Sequence, residues 1–560
     1  MHYSKRSVFS LALLFAVITL TSLLAFAEDI PTKPPDNSID DDLQPVLIKL
    51  TLEDSSDYQN AKALGVIAYH RFPDFVLAEY EKTKLGKLDE VGLTYEIVDY
   101  EPWTEEYFLV SPIEGVSAKI NLGAYGRIIL MEQESQVIKT SKEKASELRE
   151  MNQIVIPILH KPIPLSHMKP KGPVVMFPTS VASIDSLISL VSKDSLNVYV
   201  NRLQNFQTRD SYSDSIVKAR DWLYNKFTSF GIDSVYLHHF NYDSDQWNVV
   251  ATVPGTVMPN KVIVVGGHYD SYNGRTDPLI FAPGADDNAS GTAATLEMAR
   301  IIAKNPLPMT VMFVAFAQEE QGLIGSSYFA DYLYSHNIDV QLMINSDMIA
   351  SSLDADPDVV IYGDSTALYF VNIMSAMGNQ YTYLNPSYQG RLDRSDHYSF
   401  YQYGYDAIFS FEGDFSPYYH TDEDIEGHLN PSYFKEVVKM NLATLASSIY
   451  CLLSRTENLK AANVGDGHTL YLNWSVNPSP DNVGYYNVYF GTTSGHYDSP
   501  HKVYTTCDTL RNLEENTTYF VAVTAVSFDI FESYGEEISI LTSSTPFPPT
   551  GLTANAFERL

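Results

Sequence analysis

Six imidazole and carboxylate groups stand at or just past the ends of short apolar runs: His268, Asp287, Glu319, Glu320, Asp347 and His420. Nitrogen and oxygen donors with no thiolate among them suit a hydrolytic zinc site better than a structural one. Two ions that share a bridging carboxylate need about five such ligands, and one carboxylate must stay free to accept a proton. These six groups match that demand. Singly, each has a bland explanation, such as a solvated pair for Glu319-Glu320 or a helix N-cap for Asp286-Asp287. Their joint placement at strand ends is what points to chemistry. No G-x-S-x-G elbow and no H-E-x-x-H helix offers a rival centre.

Rigid elements must stand behind these groups. Residues 262–266, VIVVG, read as a buried strand. That strand delivers His268 and Asp270 to a loop, and a second loop presents Asp286 and Asp287 before a helical pattern at 290–303. Residues 310–317 form a second buried strand that runs into Glu319-Glu320, and 340–345 a third that runs into Asp347. A fourth, 407–411, leads through a loop to His420. Helical patterns at 214–230, 326–335, 367–377 and 432–453 alternate with the strands. The alternation predicts an α/β fold, a doubly wound mixed sheet in an α/β/α sandwich, with ligands bound beyond the carboxyl ends of the strands.

The motifs His268-Tyr269-Asp270, Pro283-Gly284-Ala285-Asp286-Asp287-Asn288-Ala289-Ser290-Gly291, Glu319-Glu320-Gln321-Gly322-Leu323, Ser346-Asp347-Met348, Ser395-Asp396-His397 and His420-Thr421 carry a resemblance. Over residues 180–453 the chain resembles the co-catalytic zinc aminopeptidases typified by bacterial secreted leucyl aminopeptidase. The resemblance implies two Zn2+ ions per chain. It implies that His268 and Asp347 bind one ion, that Glu320 and His420 bind the other, that Asp287 bridges them, and that Glu319 is the general base. Asp270, two residues after His268, would orient that imidazole. The implied reaction is hydrolysis of the first residue from peptides or proteins with a free N-terminus, by a water bridging the metals.

Met348, Phe409, Phe411, Phe415 and Tyr419 lie near ligands in the sequence; they would line an apolar side-chain pocket or else simply pack in the core. Asp396 and His397 are typical of the family but are not assigned as ligands. Asn288 opens an N-x-S sequon, which beside a bridging ligand reads as a false glycosylation signal. Two relatives with other reactions stand as alternatives: a carboxypeptidase-like enzyme using Arg391 and Arg394 as an anion pocket, and a glutaminyl-cyclase-like enzyme with one zinc. A catalytically dead adhesion or receptor-like protein is a third alternative, and retention of all six groups argues against it.

The rest of the chain frames this centre. At 560 residues it is too long for one core. Its 69 acidic against 37 basic residues give a net charge of −32, which argues against nucleic acid or anionic membranes as partners. Residues 1–27 read as a signal peptide: Lys5 and Arg6, an apolar stretch over 8–24, then Ala25-Phe26-Ala27. The protein is therefore expected to be secreted, periplasmic or at the cell surface, with no membrane span after cleavage. Residues 28–44 read as a linker. Residues 45–168 read as a small α/β region with a recurring strand–helix–strand order, a candidate prodomain. Residues 178–456 carry the peptidase. Residues 458–543 are all strand in character and resemble a fibronectin type III module: Trp474 takes a core position, and Leu513, Thr517 and Tyr519 suit a tyrosine corner. The match departs at Glu515, where the family often has Pro. Such a module would bind a surface or polymer. Residues 546–560 read as the start of a further module or a tail. Two cysteines, Cys451 and Cys507, leave no disulfide framework.

Overall fold

The computed structural model describes residues 44–113, 120–132, 134–165, 182–353, 356–453, 456–476, 483–527, 535 and 537–544. The expected signal segment, most of its linker, the second linker around 169–178 and the C-terminal tail lie outside the described residues.

The chain begins with two small α/β units. The first comprises β1 (Pro45–Thr51), α1 (Ser55–Ala63), β2 (Ile67–Arg71), β3 (Phe75–Glu81), α2 (Gly86–Glu90) and β4 (Tyr95–Asp99). The second comprises β5 (Glu106–Pro112), β6 (Arg127–Glu132), β7 (Ser135–Thr140), α3 (Lys142–Glu150) and β8 (Gln153–Ile158). Their sheets run β2-β3-β1-β4 and β6-β7-β5-β8, so the second unit repeats the strand order of the first. The sequence pattern shows the recurrence but not β2, β5 or β7. Each of these mixes apolar with polar or charged residues and is fixed by antiparallel pairing to a neighbour. The Lys/Glu-rich stretch 82–91 divides into a 3₁₀ turn at Lys82–Lys84 and the short α2. Gly86, a poor helix former, stands at the join.

The middle of the chain supplies α4 (Ala182–Ser189), α5 (Lys193–Gln204), α6 (Asp214–Ser229), β9 (Ser234–Asn241), β10 (Asp245–Val253), β11 (Met258–His268), α7 (Ala289–Ile302), β12 (Met309–Phe316), α8 (Ile324–Ser335), β13 (Asp339–Ser346), β14 (Asp358–Gly363), α9 (Leu368–Tyr381), β15 (Asn385–Tyr388), α10 (His397–Gln402), β16 (Ala407–Glu412) and α11 (Pro431–Leu453). Its strands form one eight-stranded mixed sheet in the order β15-β14-β16-β13-β11-β12-β10-β9. The four central strands, β16, β13, β11 and β12, are mutually parallel, so their carboxyl ends share one edge. One face of the sheet is covered by α4, α5, α6, α7, α9 and α11 in a single apolar cluster. The other face packs on α8 and α10, and its apolar cluster continues without a break into the N-terminal units. Leu47, Val76 and Ile156 belong to the same core as Phe316, Phe329 and Phe400.

After α11 come β17 (Lys460–Asn463), β18 (Leu470–Asn473), β19 (Val483–Gly491), β20 (His501–Val503), β21 (Cys507–Leu510), β22 (Thr518–Ser527) and β23 (Glu537–Leu541). They make two antiparallel sheets, β17-β18-β21 and β20-β19-β22-β23. Trp474, Tyr486, Leu510, Leu513 and Tyr519 belong to the core between them. The Tyr519 hydroxyl accepts a hydrogen bond from the Glu514 N–H at 3.0 Å.

One close approach fixes the geometry of the central edge. The N-terminus of α7 is capped by Asn288, whose Oδ1 accepts from the Gly291 N–H at 2.7 Å and whose Nδ2 donates to the Ser346 carbonyl at 3.0 Å. A Cβ on Gly291 would stand 2.0 Å from that same carbonyl oxygen. Only glycine lets the helix lie this close to the end of β13. We expect Gly291→Ala to cost about 3 kcal/mol of stability through overpacking. A thermal melt unchanged from the parent would contradict this account.

Candidate metal centre

The parallel core of the sheet places four loops side by side at its carboxyl edge. His268 ends β11 and is 1% exposed. Asp287 precedes α7, Glu319 and Glu320 follow β12, Asp347 follows β13, and His420 lies in the loop after β16. The structure brings all six into one cluster. Asp287 stands between the histidines: Oδ1 is 3.2 Å from His268 Nε2, and Oδ2 is 3.3 Å from His420 Nε2. Asp347 Oδ1 lies 3.4 Å and Glu319 Oε2 3.8 Å from His268 Nε2. Glu320 Oε2 lies 2.9 Å from His420 Nε2.

Four buried ligand atoms in this cluster have no hydrogen-bond partner among the described residues: Nε2 of both histidines, Oδ1 of Asp347 and Oε1 of Glu320. Buried polar atoms are normally satisfied. Ligand atoms from His268, Glu319 and Asp347 lie within 4.8 Å of one another, and so do those from His268, Asp287 and Glu320. Nitrogen and oxygen donors at this spacing fit divalent zinc. Glu319 sits close enough to the first group that distance alone does not separate it from the ligands.

Beneath the cluster lies a support that the sequence did not single out. The Asp424 carboxylate accepts the backbone N–H groups of Asp286 at 2.9 Å and Asp287 at 3.0 Å. Arg209 is fully buried and spends its guanidinium on main-chain carbonyls, donating to Tyr269 at 2.8 Å and to Pro283 and Gly284 at 2.7 Å each. It thereby ties the His268 loop to the Asp287 loop. Ser395 donates to Asp347 Oδ2 at 2.7 Å and accepts from Asn345 at 2.6 Å. Asp424 lies four residues past His420, and its spacing is the one signal that could have flagged it; nothing local marks Arg209.

Asp270 does more than steady an imidazole. Its carboxylate lies 3.5 Å from His268 Nδ1, slightly farther than its own carbonyl at 3.3 Å. The same carboxylate accepts the N–H groups of Glu319 and Glu320, each at 3.2 Å, and the Ser211 hydroxyl at 3.2 Å. It therefore fixes the turn that carries both glutamates. Asp396 is fully buried beside the centre, and His397 is committed to the Leu392 carbonyl at 2.8 Å. Asn288 is buried in its capping bonds, as its reading as a false sequon requires. Met348, Phe409, Phe411, Phe415 and Tyr419 all line the cleft above the centre, with Met348 and Phe409 buried in its wall and Phe415 exposed at its rim.

Strain and charge concentrate here. Gln318, Met348 and His420 take left-handed backbone conformations, each at or beside a cluster residue. Each costs on the order of 1 kcal/mol and persists because its surroundings over-determine it. Burial opposes protonation of His268 and His420. The carboxylates around them outweigh it, raising His268 well above its ordinary value and His420 to about 10. Burial pushes Glu319 well above the carboxylate range, and burial with Asp287 pushes Glu320 to about 7. Without a cation the cluster holds protons that a dication must displace. Zinc affinity should therefore rise with pH, by about tenfold per pH unit for each proton released. Calorimetric titration of stripped protein with zinc, in buffers of different ionisation heat at neutral pH, should show proton release; no release or net uptake would contradict this charge state.

Comparison with known proteins converges on the same region. The family model described as peptidase family M28 matches residues 248–445. The chain is 31% identical over 295 residues to "Leucine aminopeptidase 1" of Ajellomyces capsulatus, covering 48% of this chain and 75% of the relative. It is 35% identical over 197 residues to a "Probable zinc metalloprotease" of Pyrenophora teres f. teres, covering 31% of this chain and 42% of the relative. The crystal structure of the Legionella pneumophila LapA aminopeptidase shares the fold at a TM-score of 0.50 and 20% identity, covering 60% of this chain and 97% of that one.

Proposed function

This chain belongs to peptidase family M28 and is a zinc metallopeptidase, and from that premise we propose that it is a two-zinc aminopeptidase acting outside the cytoplasm. The observation that carries the reading is Asp287, which turns one oxygen toward each of two histidines whose facing nitrogens have no hydrogen-bond partner among the described residues. His268 and Asp347 would hold one ion and Glu320 and His420 the other, with Asp287 available to both. Zinc bound there would lower the pKa of a water and polarise the scissile carbonyl.

The remaining work belongs to the chain's own groups. Glu319 takes the proton of the attacking water and returns it to the leaving amine; Asp270 holds the turn that carries it, and the Glu319 carboxylate stands 3.8 Å from His268 Nε2. Met348, Phe409, Phe411, Phe415 and Tyr419 form an apolar pocket for the first side chain, in a cleft of about 920 Å³. The carboxypeptidase alternative loses Arg391, which is bound to Asp393 at 2.6 Å and faces Asp364 at 3.5 Å. The single-zinc cyclase alternative leaves one of the two orphaned histidine nitrogens unexplained.

Residues 1–27 are the export signal, and among the described residues no helix is long and apolar enough to cross a membrane. Residues 458–543 are a fibronectin type III module, on the strength of the paired antiparallel sheets and the Tyr519–Glu514 bond. It holds the enzyme at a surface or polymer.

Glu319→Gln should retain two zinc equivalents by elemental analysis and lose at least about a thousandfold in kcat; full turnover would remove Glu319 as the base. Glu320→Ala should instead lose metal, and two tightly held equivalents in that variant would contradict its assignment. Unblocked leucyl anilides and peptides should be cleaved and N-acetylated ones spared, a pattern whose reversal overturns the aminopeptidase reading.

A further inference from the structure

The N-terminal units reach into the cleft. Val155 of β8 lies against the turn after Glu319-Glu320: a Cβ on Gly322 would stand 2.4 Å from the Val155 carbonyl oxygen and 2.5 Å from Pro157 Cδ. Asn152, in the turn between α3 and β8, places Oδ1 3.3 Å from where a Cβ on Gly274 would be, and the Gly274 N–H donates to the His420 carbonyl at 3.0 Å. This turn thus touches the loops on both sides of the metal cluster. Behind it, the apolar core is continuous with that of the sheet. Arg149, Glu150, Asn152 and Gln153 line the same cleft as Glu319 and His420.

Arg149 is the informative member. It sits in the last turn of α3, and its guanidinium makes one hydrogen bond among the described residues, from Nη2 to the Val155 carbonyl at 3.2 Å. Its Nε is buried with no partner among them. Two carboxylates that act on it, Asp243 and Glu106, are engaged elsewhere. Asp243 accepts from Tyr212 at 2.5 Å and from Gln318 at 2.9 Å, while Glu106 accepts from Tyr242 at 2.8 Å and faces Lys142 at 3.4 Å. Tyr272 lines the same cleft as Arg149, and its ring stands edge-on to His420 at 5.1 Å. A guanidinium with spare donors in the lining of the cleft that holds the metal centre can receive a carboxylate.

We infer that the α3–β8 turn is a permanent wall of the substrate cleft, and that Arg149 on it receives the C-terminal carboxylate of a short peptide whose N-terminus lies at the metal centre. The inference rests on the aminopeptidase reading for the direction of the substrate. It assigns to the N-terminal units a part in substrate selection, in place of removal as a prodomain. The other arginine lining the cleft, Arg394, donates to the Pro112 carbonyl at 2.9 Å.

The test compares Leu-Gly-Gly with its C-terminal amide on zinc-loaded full-length protein. The parent should favour the free acid in kcat/KM by about tenfold, as expected for a charge-assisted contact. Arg149→Gln should bring the ratio to near one, Arg149→Lys should recover part of it, and Arg394→Gln should keep it. A parent ratio near one, or an Arg149→Gln ratio equal to the parent's, overturns the inference. So does a preference restored by Leu-Gly-Glu-amide alone, which would make the recognised carboxylate a side chain. Calorimetry on zinc-loaded Glu319→Gln protein, with and without Arg149→Gln, reads the same acid-over-amide preference without turnover. If the parent cleaves neither peptide, the aminopeptidase reading fails, and the calorimetric difference still decides the carboxylate site.

Discussion

The centre depends on how the backbone around Asp287 is held. A carboxylate that faces two histidines must stay between them against the repulsion of Glu319, Glu320 and Asp347. Here the restraint is made of main-chain contacts. Asp424 receives the N–H groups of Asp286 and Asp287, and Arg209 collects three carbonyls from the two loops on either side. A buried arginine bonded only to carbonyls keeps its positive charge unspent, and that charge lies under a floor of carboxylates. It offsets part of their repulsion without offering any of them a direct bond, so their oxygens remain free to bind metal. The same logic explains Asp270, which orders the Glu319-Glu320 turn through backbone bonds and leaves both glutamate side chains open to the cleft.

What was legible in the sequence was whatever is local. VIVVG before His268 and TVMFVAFA before Glu319 are continuous apolar runs, and buried parallel strands have few other ways to read. Their order puts the cluster residues at one edge once parallel pairing is assumed. Illegible were features created by pairing and packing. β5 and β7 are specified by their neighbours as much as by their own residues. The role of Arg209 depends on three carbonyls between 60 and 75 positions away in the chain. Asp270 was read as a partner of one histidine because its spacing from His268 is visible, whereas its bonds to residues 49 and 50 positions on are not. The placement of the N-terminal turn in the cleft was equally hidden, since it follows from surface fit between segments with no shared pattern.

Charge distribution gives the molecule a second level of organisation. The chain carries a large negative excess, and the densest buried part of it is the centre with its support of Asp286, Glu412 and Asp424. Burial raises all three carboxyls above their ordinary range.

The continuous core between the N-terminal units and the far face of the sheet also sets the order of events during synthesis. Leu47 and Val76 belong to the same apolar cluster as Phe316, Phe400 and Ala407. At about 10 residues per second, roughly half a minute of synthesis separates the two groups. Contacts of such long sequence separation close slowly. The face that the N-terminal units turn toward the sheet is therefore among the last surfaces to be covered, once the strand that carries Ala407 has been delivered.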